Sequence, residues 1–475
     1  MADNIRLNPG SAGDVVAADD IGGAKYQRIK LIHGVDGTNS GDVSTANPLP
    51  SKLFGSTPSG LVVPLPFDSQ CRLLVSLPRT AFGELSVAHN EPVAQVDFVT
   101  QTGTLNTQHL VTSAVTGSGT TTASGGLLSC STTAAINSSA QVVSRRYLRY
   151  RTGEGGLGRF TALFTMGVSG SNQYAGLGTA SLNDGFFFGY SGATFGIFHI
   201  NAGLVTHMPQ STWNVDLCDG SGGASNKSGI TLDPTKGNVY QIRYQYLGFG
   251  AIVFYVEDSS VGEFVPVHVI QYANSHTSPS LGQPCLNLLW RAENTSNASN
   301  VVVKSASGAL FVEGIRRHLG PRWGTDNSKT VTTLLNVLAI RNATTYNGIT
   351  NAGQIRIRNI SLCANTSSPT GVATLRIVRL PSLGGSPVFT PISGTSSNGG
   401  VTITAGQSIA SVDTSGTTIG GGTVIFNASV AIGASQVLDV SNLDIYANPG
   451  ETLSFGAVST QSATVGVSVT WNEDI

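Results

Sequence analysis

The 475-residue chain sets 26 Lys and Arg against 27 Asp and Glu, and only 11 % of it is charged, well below the usual share of about 25 %. So balanced a field does not draw in nucleic acid or an anionic membrane. No run approaches the roughly 20 apolar residues of a spanning helix, so membrane insertion is not expected.

The N-terminus lacks a basic stretch followed by an apolar one and does not read as a secretory signal. The five cysteines are scattered, with no Cys-x-x-Cys pair, which argues against a disulfide scaffold and a zinc site. They read as small apolar residues or reduced thiols of a chain folded in a reducing compartment. The 58 glycines, with abundant Ser, Thr and Asn, suit many short strands joined by turns, and helical periodicity is almost absent. The expected class is all-β. At this length more than one core is expected, since single cores stop growing near roughly 250–300 residues.

In chain order, residues 1–62 form a polar, turn-rich docking segment. Within it Lys25–His33 alternates like a strand that lacks a partner of its own, with Tyr26, Ile29, Leu31 and Ile32 as its apolar anchors. Residues 63–328 form a middle β-sandwich. Its clearest unit, "NVYQIRYQYLGFGAIVFYVED", sends Tyr240, Ile242, Tyr244 and Tyr246 to one face and Gln241, Arg243 and Gln245 to the other, then turns into Ile252, Phe254 and Val256. "DGFFFGYSGATFGIFHI" reads as strand, Ser-Gly turn, strand. Residues 329–475 hold at least six strand-like runs, which fits a jelly-roll-like sandwich of about eight strands. No fixed-period repeat suggests a solenoid or propeller.

Several stretches invite a chemical reading. "GEGGLG" places Gly153, Gly155 and Gly158 in G-x-G-x-x-G register, but a strand-like run follows where a dinucleotide site needs a helix, so a hairpin loop is the expectation and no cofactor is. "RRYLRYR" interleaves Arg145, Arg146, Arg149 and Arg151 with Tyr147 and Tyr150. Without a basic surplus elsewhere, a structural or intersubunit role outweighs a nucleic-acid one. "DGTNSGD" spaces Asp36, Thr38, Ser40 and Asp42 like a calcium loop but has Asn47 where the bidentate Glu belongs, so no metal is expected. Neither G-x-S-x-G nor H-E-x-x-H occurs. Glu154, Asp184, Asp219, Asp233, Glu257, Asp258 and Glu263 are candidates for a glycosidase pair, yet most sit beside turn residues, and turn chemistry accounts for them better. Trp213, Trp290, Trp323 and Trp471 suit either a sugar platform or, more commonly, a core.

The opening words "ADN…LNPG", "DDIGG", "YQR-K" and "NPLP" resemble a leader segment at the start of structural proteins of tailed bacteriophages. "LRYRTGEGGLGRFTALFTMGV" and "LDPTKGNVYQIRYQYLGFGAIVFYVED" look like a module of phage and large-virus particles. This resemblance implies a non-enzymatic virion structural protein, assembled in the bacterial host cytoplasm and exposed on the particle. The leading expectation is a tail-fibre or receptor-binding-type appendage for host attachment, anchored by its N-terminus. A capsid decoration or head-fibre protein is the alternative, and a glycan-binding or glycan-degrading tailspike is weaker. The implied partners are other virion proteins (tail, baseplate or major capsid protein), sister chains of a homotrimer and host surface glycan. The resemblance brings no catalytic residues.

Overall fold

The computed structural model describes residues 90–314, 320–367, 370–392 and 407–474, together with Gly23 and the backbone of short strands between residues 5 and 64. The chain divides into two compact units, Met1–Pro78 and Arg79–Ile475.

In the first unit, Ala18–Ile21 pairs antiparallel with Ala24–Gln27, setting Asp19 opposite Tyr26 and Asp20 opposite Lys25. Gly23, at φ +84°, supplies the left-handed backbone that so tight a turn requires. This corrects the expectation that the strand around Tyr26 has no partner in its own segment. Gly23 in "DIGGAK" folds it back on the residues just before it. Ile29, Leu31, Ile32 and the calcium-like "DGTNSGD" lie outside the described residues.

The second unit is all β, and among the described residues every strand pairing in it is antiparallel. Its first sandwich packs two sheets. One sheet has seven strands, in the order Leu204–Pro209, Thr194–Asn201, Gly185–Ser191, Ser171–Gly178, Leu286–Asn294, Ser138–Leu148 and Val111–Thr116. The other runs from Glu263–Ile270 through Ile252–Asp258 and Asn238–Gln245 to Gly155–Phe164. On its far side Gly155–Phe164 meets two strands in succession, Ser307–Glu313 and Val302–Ser305.

The core between these sheets follows the period of two read in the sequence. Tyr240, Ile242 and Tyr244 stand opposite Val256, Phe254 and Ile252, all buried. Aromatic rings fill it: Phe188 lies 4.5 Å from Tyr240, and Phe98 meets Trp290 edge-on at 5.4 Å. Trp213, Trp290 and Trp471 are buried, as core tryptophans should be. Burial pushes the thiols of Cys130 and Cys218 up to about 12, which suits their role as small apolar fillers.

"GEGGLG" departs from expectation. Only its beginning is a turn, with Gly153 at φ +90°, and from Gly155 onward the motif is a central strand. Its glycines answer to packing across the sheets. A Cβ on Gly156 would run into the Tyr244 ring, and one on Gly158 into Leu177.

The second sandwich has eight long strands. Numbered in chain order they are Arg322–Val331, Leu335–Asn342, Gln354–Asn365, Val372–Arg379, Thr423–Ala431, Ser435–Asp439, Thr452–Ser459 and Ala463–Asp474. They pair as 1-8-3-6 in one sheet and 2-7-4-5 in the other, the jelly-roll order. The core between them gathers Trp471, Phe455, Leu375, Ile377 and Ile340. Pairing begins at Arg322, ahead of the boundary at 328/329 read from the sequence. "RWGTDNSKTV" is too polar to announce a strand, and what makes it one is the ladder to Ala463–Asn472.

The glycine packing yields a test. Gly156→Val forces a branched side chain into the Tyr244 ring and Leu148, and overpacking of this kind costs about 1–3 kcal/mol. A lowered urea midpoint for the first sandwich, followed by tyrosine and tryptophan fluorescence, is expected.

Candidate functional site

The run "RRYLRYR" crosses the junction between the two sandwiches. The strand Ser138–Leu148 slips register between Val143 and Tyr147, so an irregularity sits at the arginines. Ser144 staples it: its hydroxyl donates to the Arg146 carbonyl at 2.6 Å and accepts from the Leu288 amide at 3.0 Å. The break in the ladder frees both arginines to reach the second sandwich.

Each polar residue of the run then finds a specific partner. Arg145 Nη1 lies 2.7 Å from Glu451, Arg146 Nη2 lies 2.7 Å from Asp444, and the Tyr147 hydroxyl donates to the Ala352 carbonyl at 2.9 Å. Arg149 and Arg151 converge on Asp474, at 3.3 and 3.0 Å. Tyr150 turns back to the first sandwich, accepting from the Leu247 amide and packing edge-on against Tyr246 at 4.8 Å. Asn448 closes the seam from the other side by donating to the Arg145 carbonyl at 3.0 Å. Glu451 is only 8 % exposed and Asp474 11 %, so these ion pairs are largely withdrawn from water. Burial also pushes the Tyr147 hydroxyl well above its ordinary range. The expected structural role is thus met within one chain, and the run acts as a strap.

Beside the strap lies a groove of about 480 Å³. Its walls bring together Asn183, Gln283 and Asn287 from the first sandwich with Thr350, Asn351 and Asn448 from the second. Arg145, Asp184 and Glu451 share the lining, and several amides are already engaged: Asn287 donates to the Ser144 carbonyl at 2.7 Å, Asn351 to the Ala343 carbonyl at 2.7 Å and Asn448 to that of Arg145. The side chains of Asn183, Gln283 and Thr350, by contrast, have no hydrogen bond among the described residues and can meet a sugar's hydroxyl groups. Asp184, at the groove edge, is engaged in structure: its Oδ1 accepts from the amides of Gly282 at 2.7 Å and Ala202 at 3.1 Å.

The remaining candidate acids are scattered. Asp219, Asp233 and Asp258 each accept from residues two positions on, in turns. The hydroxyl and amide of Ser221, with the Asn226 side chain, hold the Asp219 carboxyl down to about 2. Glu257 and Glu263 stand on neighbouring strands, Glu257 opposite Phe264 and Glu263 opposite Asp258. Glu154 lies in the turn before Gly155, beside Gly314. The structure does not bring these seven together.

One cluster escaped the sequence reading. On the face of the seven-stranded sheet turned away from the core, Tyr174, Phe187, Phe198 and Leu289 form a small apolar layer, the Phe187 ring lying against Gly176, Gly178 and Gly185. At its rim Glu293 takes bonds from Arg291 at 2.6 Å and Asn172 at 2.9 Å, and Arg291 also donates to Gln141 at 3.0 Å. The alternation in "LNLLWRAEN" carried the signal, since Leu288, Trp290 and Ala292 point inward and Leu289, Arg291 and Glu293 outward.

Breaking the strap separates its structural from its local effects. Removing one partner of a buried pair costs about 3–5 kcal/mol because the other charge is stranded. In calorimetry, the double variant Glu451→Gln, Asp474→Asn is expected to split one cooperative transition into two, one per sandwich.

No protein-family model and no curated protein matches the sequence. Among solved structures, the chain is similar to the Emp47p carbohydrate recognition domain at 11 % identity and a TM-score of 0.28, over 46 % of this chain and 95 % of that one. It is similar to a β-glucanase of Bacillus licheniformis at 12 % identity and 0.29, over 48 % and 98 %. A glycosyl hydrolase family protein from Mycobacterium fortuitum matches at 13 % identity and 0.30, over 46 % and 99 %. Likeness at this level assigns neither a function nor a family.

Proposed function

We propose that the chain is a non-enzymatic structural protein of a tailed-phage virion, a fibre or receptor-binding-type appendage held through residues 1–62. The strap carries this reading. Four arginines of one short run lock two low-charge sandwiches into one body, which is what a part that transmits force between a particle and a surface needs. The jelly-roll order of the second sandwich is compatible with it, being an architecture of viral capsid and lectin domains, though as a fold-level analogy. The phage-like leader words point the same way. A capsid decoration or head-fibre role uses the same body and differs only in where the leader docks. The side chains of Asn183, Gln283 and Thr350 in the groove support contact with a host glycan.

Imaging of particles carrying a tagged chain tests the placement: density on a tail or baseplate supports the appendage, density on the shell supports the decoration protein, and absence from particles overturns both. Deleting residues 1–62 is expected to leave a soluble all-β protein that no longer enters particles. Light scattering of the purified full chain at micromolar concentration is expected to give a trimer, and a monomer would count against that part of the proposal. Incubation with host polysaccharide is expected to release no oligosaccharide.

A further inference from the structure

A second cavity, of about 350 Å³, opens at the junction around Tyr446, walled by Leu110 and His109 of the first sandwich and by Arg379, Ile425 and Asp444 of the second. Three guanidinium groups surround the Tyr446 ring. Arg379 lies 4.3 Å from its centroid, Arg146 5.2 Å and Arg356 5.9 Å. A single carboxylate serves two of them. Asp444 takes Arg146 on one oxygen, at 2.7 Å, and Arg356 on the other.

Arg379 is left over. It is 6 % exposed, and its one hydrogen bond among the described residues runs from Nη2 to the Tyr446 carbonyl at 2.6 Å. Its Nε is buried without a partner, and no carboxylate lies within ion-pair distance of it among the described residues. A permanently charged guanidinium in that position calls for an anion, because burying an uncompensated charge is costly and the fork of an arginine matches an oxyanion's two oxygens. Leu110, Ile425 and the Tyr446 ring add apolar wall beside the polar Gln95, His109 and Ser144, a mixture that suits a ligand with a carbon body and hydroxyl groups. The size suits a monosaccharide.

We propose that this cavity binds a small organic anion, a carboxylate or phosphate group carried on a molecule of monosaccharide size, with Arg379 as the principal contact and Arg146 at the mouth. The site is separate from the groove beside Tyr147 and holds whatever the chain's place in a particle.

Titration calorimetry of the full chain at low salt tests it, with glucuronate and glucose 6-phosphate as probes and glucose as the neutral control. One-site binding of at least one acid, weakened by added salt and absent for glucose, is expected. Preference for glucuronate identifies a carboxylate ligand, and preference for the phosphate ester a phosphate one. Arg379→Gln is expected to lower affinity at least about tenfold. Because that variant alters a buried position, Arg146→Gln, on a side chain 45 % exposed, provides a second reading with an expected loss of several-fold. No binding of either acid, binding of glucose equal to that of the acids, or affinity unchanged in both variants overturns the proposal.

Discussion

Glu451 and Asp474 are carboxylates withdrawn from water at a seam, and a carboxylate in that position is stable only if a cation comes to it. The cations come from one short run of another sandwich. This requirement explains the register slip at Arg145 and Arg146, which gives the arginines their reach, and the Ser144 staple that fixes it. It also explains why Asn448 turns to the Arg145 carbonyl. Arginine suits the task better than lysine would, because its planar fork spends several donors in fixed directions while the side chain stays charged. Arg145, for example, reaches Glu451 through Nη1 and the Thr107 carbonyl through Nε.

Much of the fold was legible because burial on one face of a strand imposes a period of two. Tyr240 to Tyr244 and Ile252 to Val256 are the clearest case: both the alternation and the hairpin follow from the letters alone. What could not be read were matters of partnership across distance. Nothing near Arg151 points to Asp474, more than three hundred positions on, and nothing in "RWGTDNSK" points to the strand that makes it one. The glycines of "GEGGLG" misled for the same reason, since glycine signals a turn locally but here answers to Tyr244 and Leu177 on other strands. Around Tyr26 the error was local: the turn signal "IGG" stood in the sequence and closes a hairpin onto Ala18–Ile21. Of the site, the arginine run was visible as a structural element, but its target and the spare charge of Arg379 were not. That charge becomes apparent only when Arg146 and Arg356 are seen to take the two oxygens of Asp444, leaving none for Arg379.

The junction therefore presents two surfaces of different charge balance. In the groove beside Tyr147 the charges of Arg145 and Glu451 are matched to each other, whereas the cavity beside Tyr446 offers an excess of positive charge between apolar and polar walls. Arg145 and Arg146 are sequence neighbours with different duties. Arg145 is consumed by Glu451, whereas Arg146 shares Asp444 with Arg356 and faces the cavity. Fusing two sandwiches in this way creates concave surface that neither would have alone.

The jelly-roll order also dictates a sequence of events during synthesis. The described strands of the first sandwich all lie before residue 314, so that body can close while the chain is still growing. The second cannot. Its first strand waits for Ala463–Asn472, a closure spanning well over a hundred residues, and contacts of such long range form slowly. The contacts of Arg145 to Tyr147 with Glu451, Asp444 and Ala352 can form before that closure, whereas those of Arg149 and Arg151 with Asp474 come with the strand that completes the sheet, so closing the second sandwich and fastening it to the first are coupled.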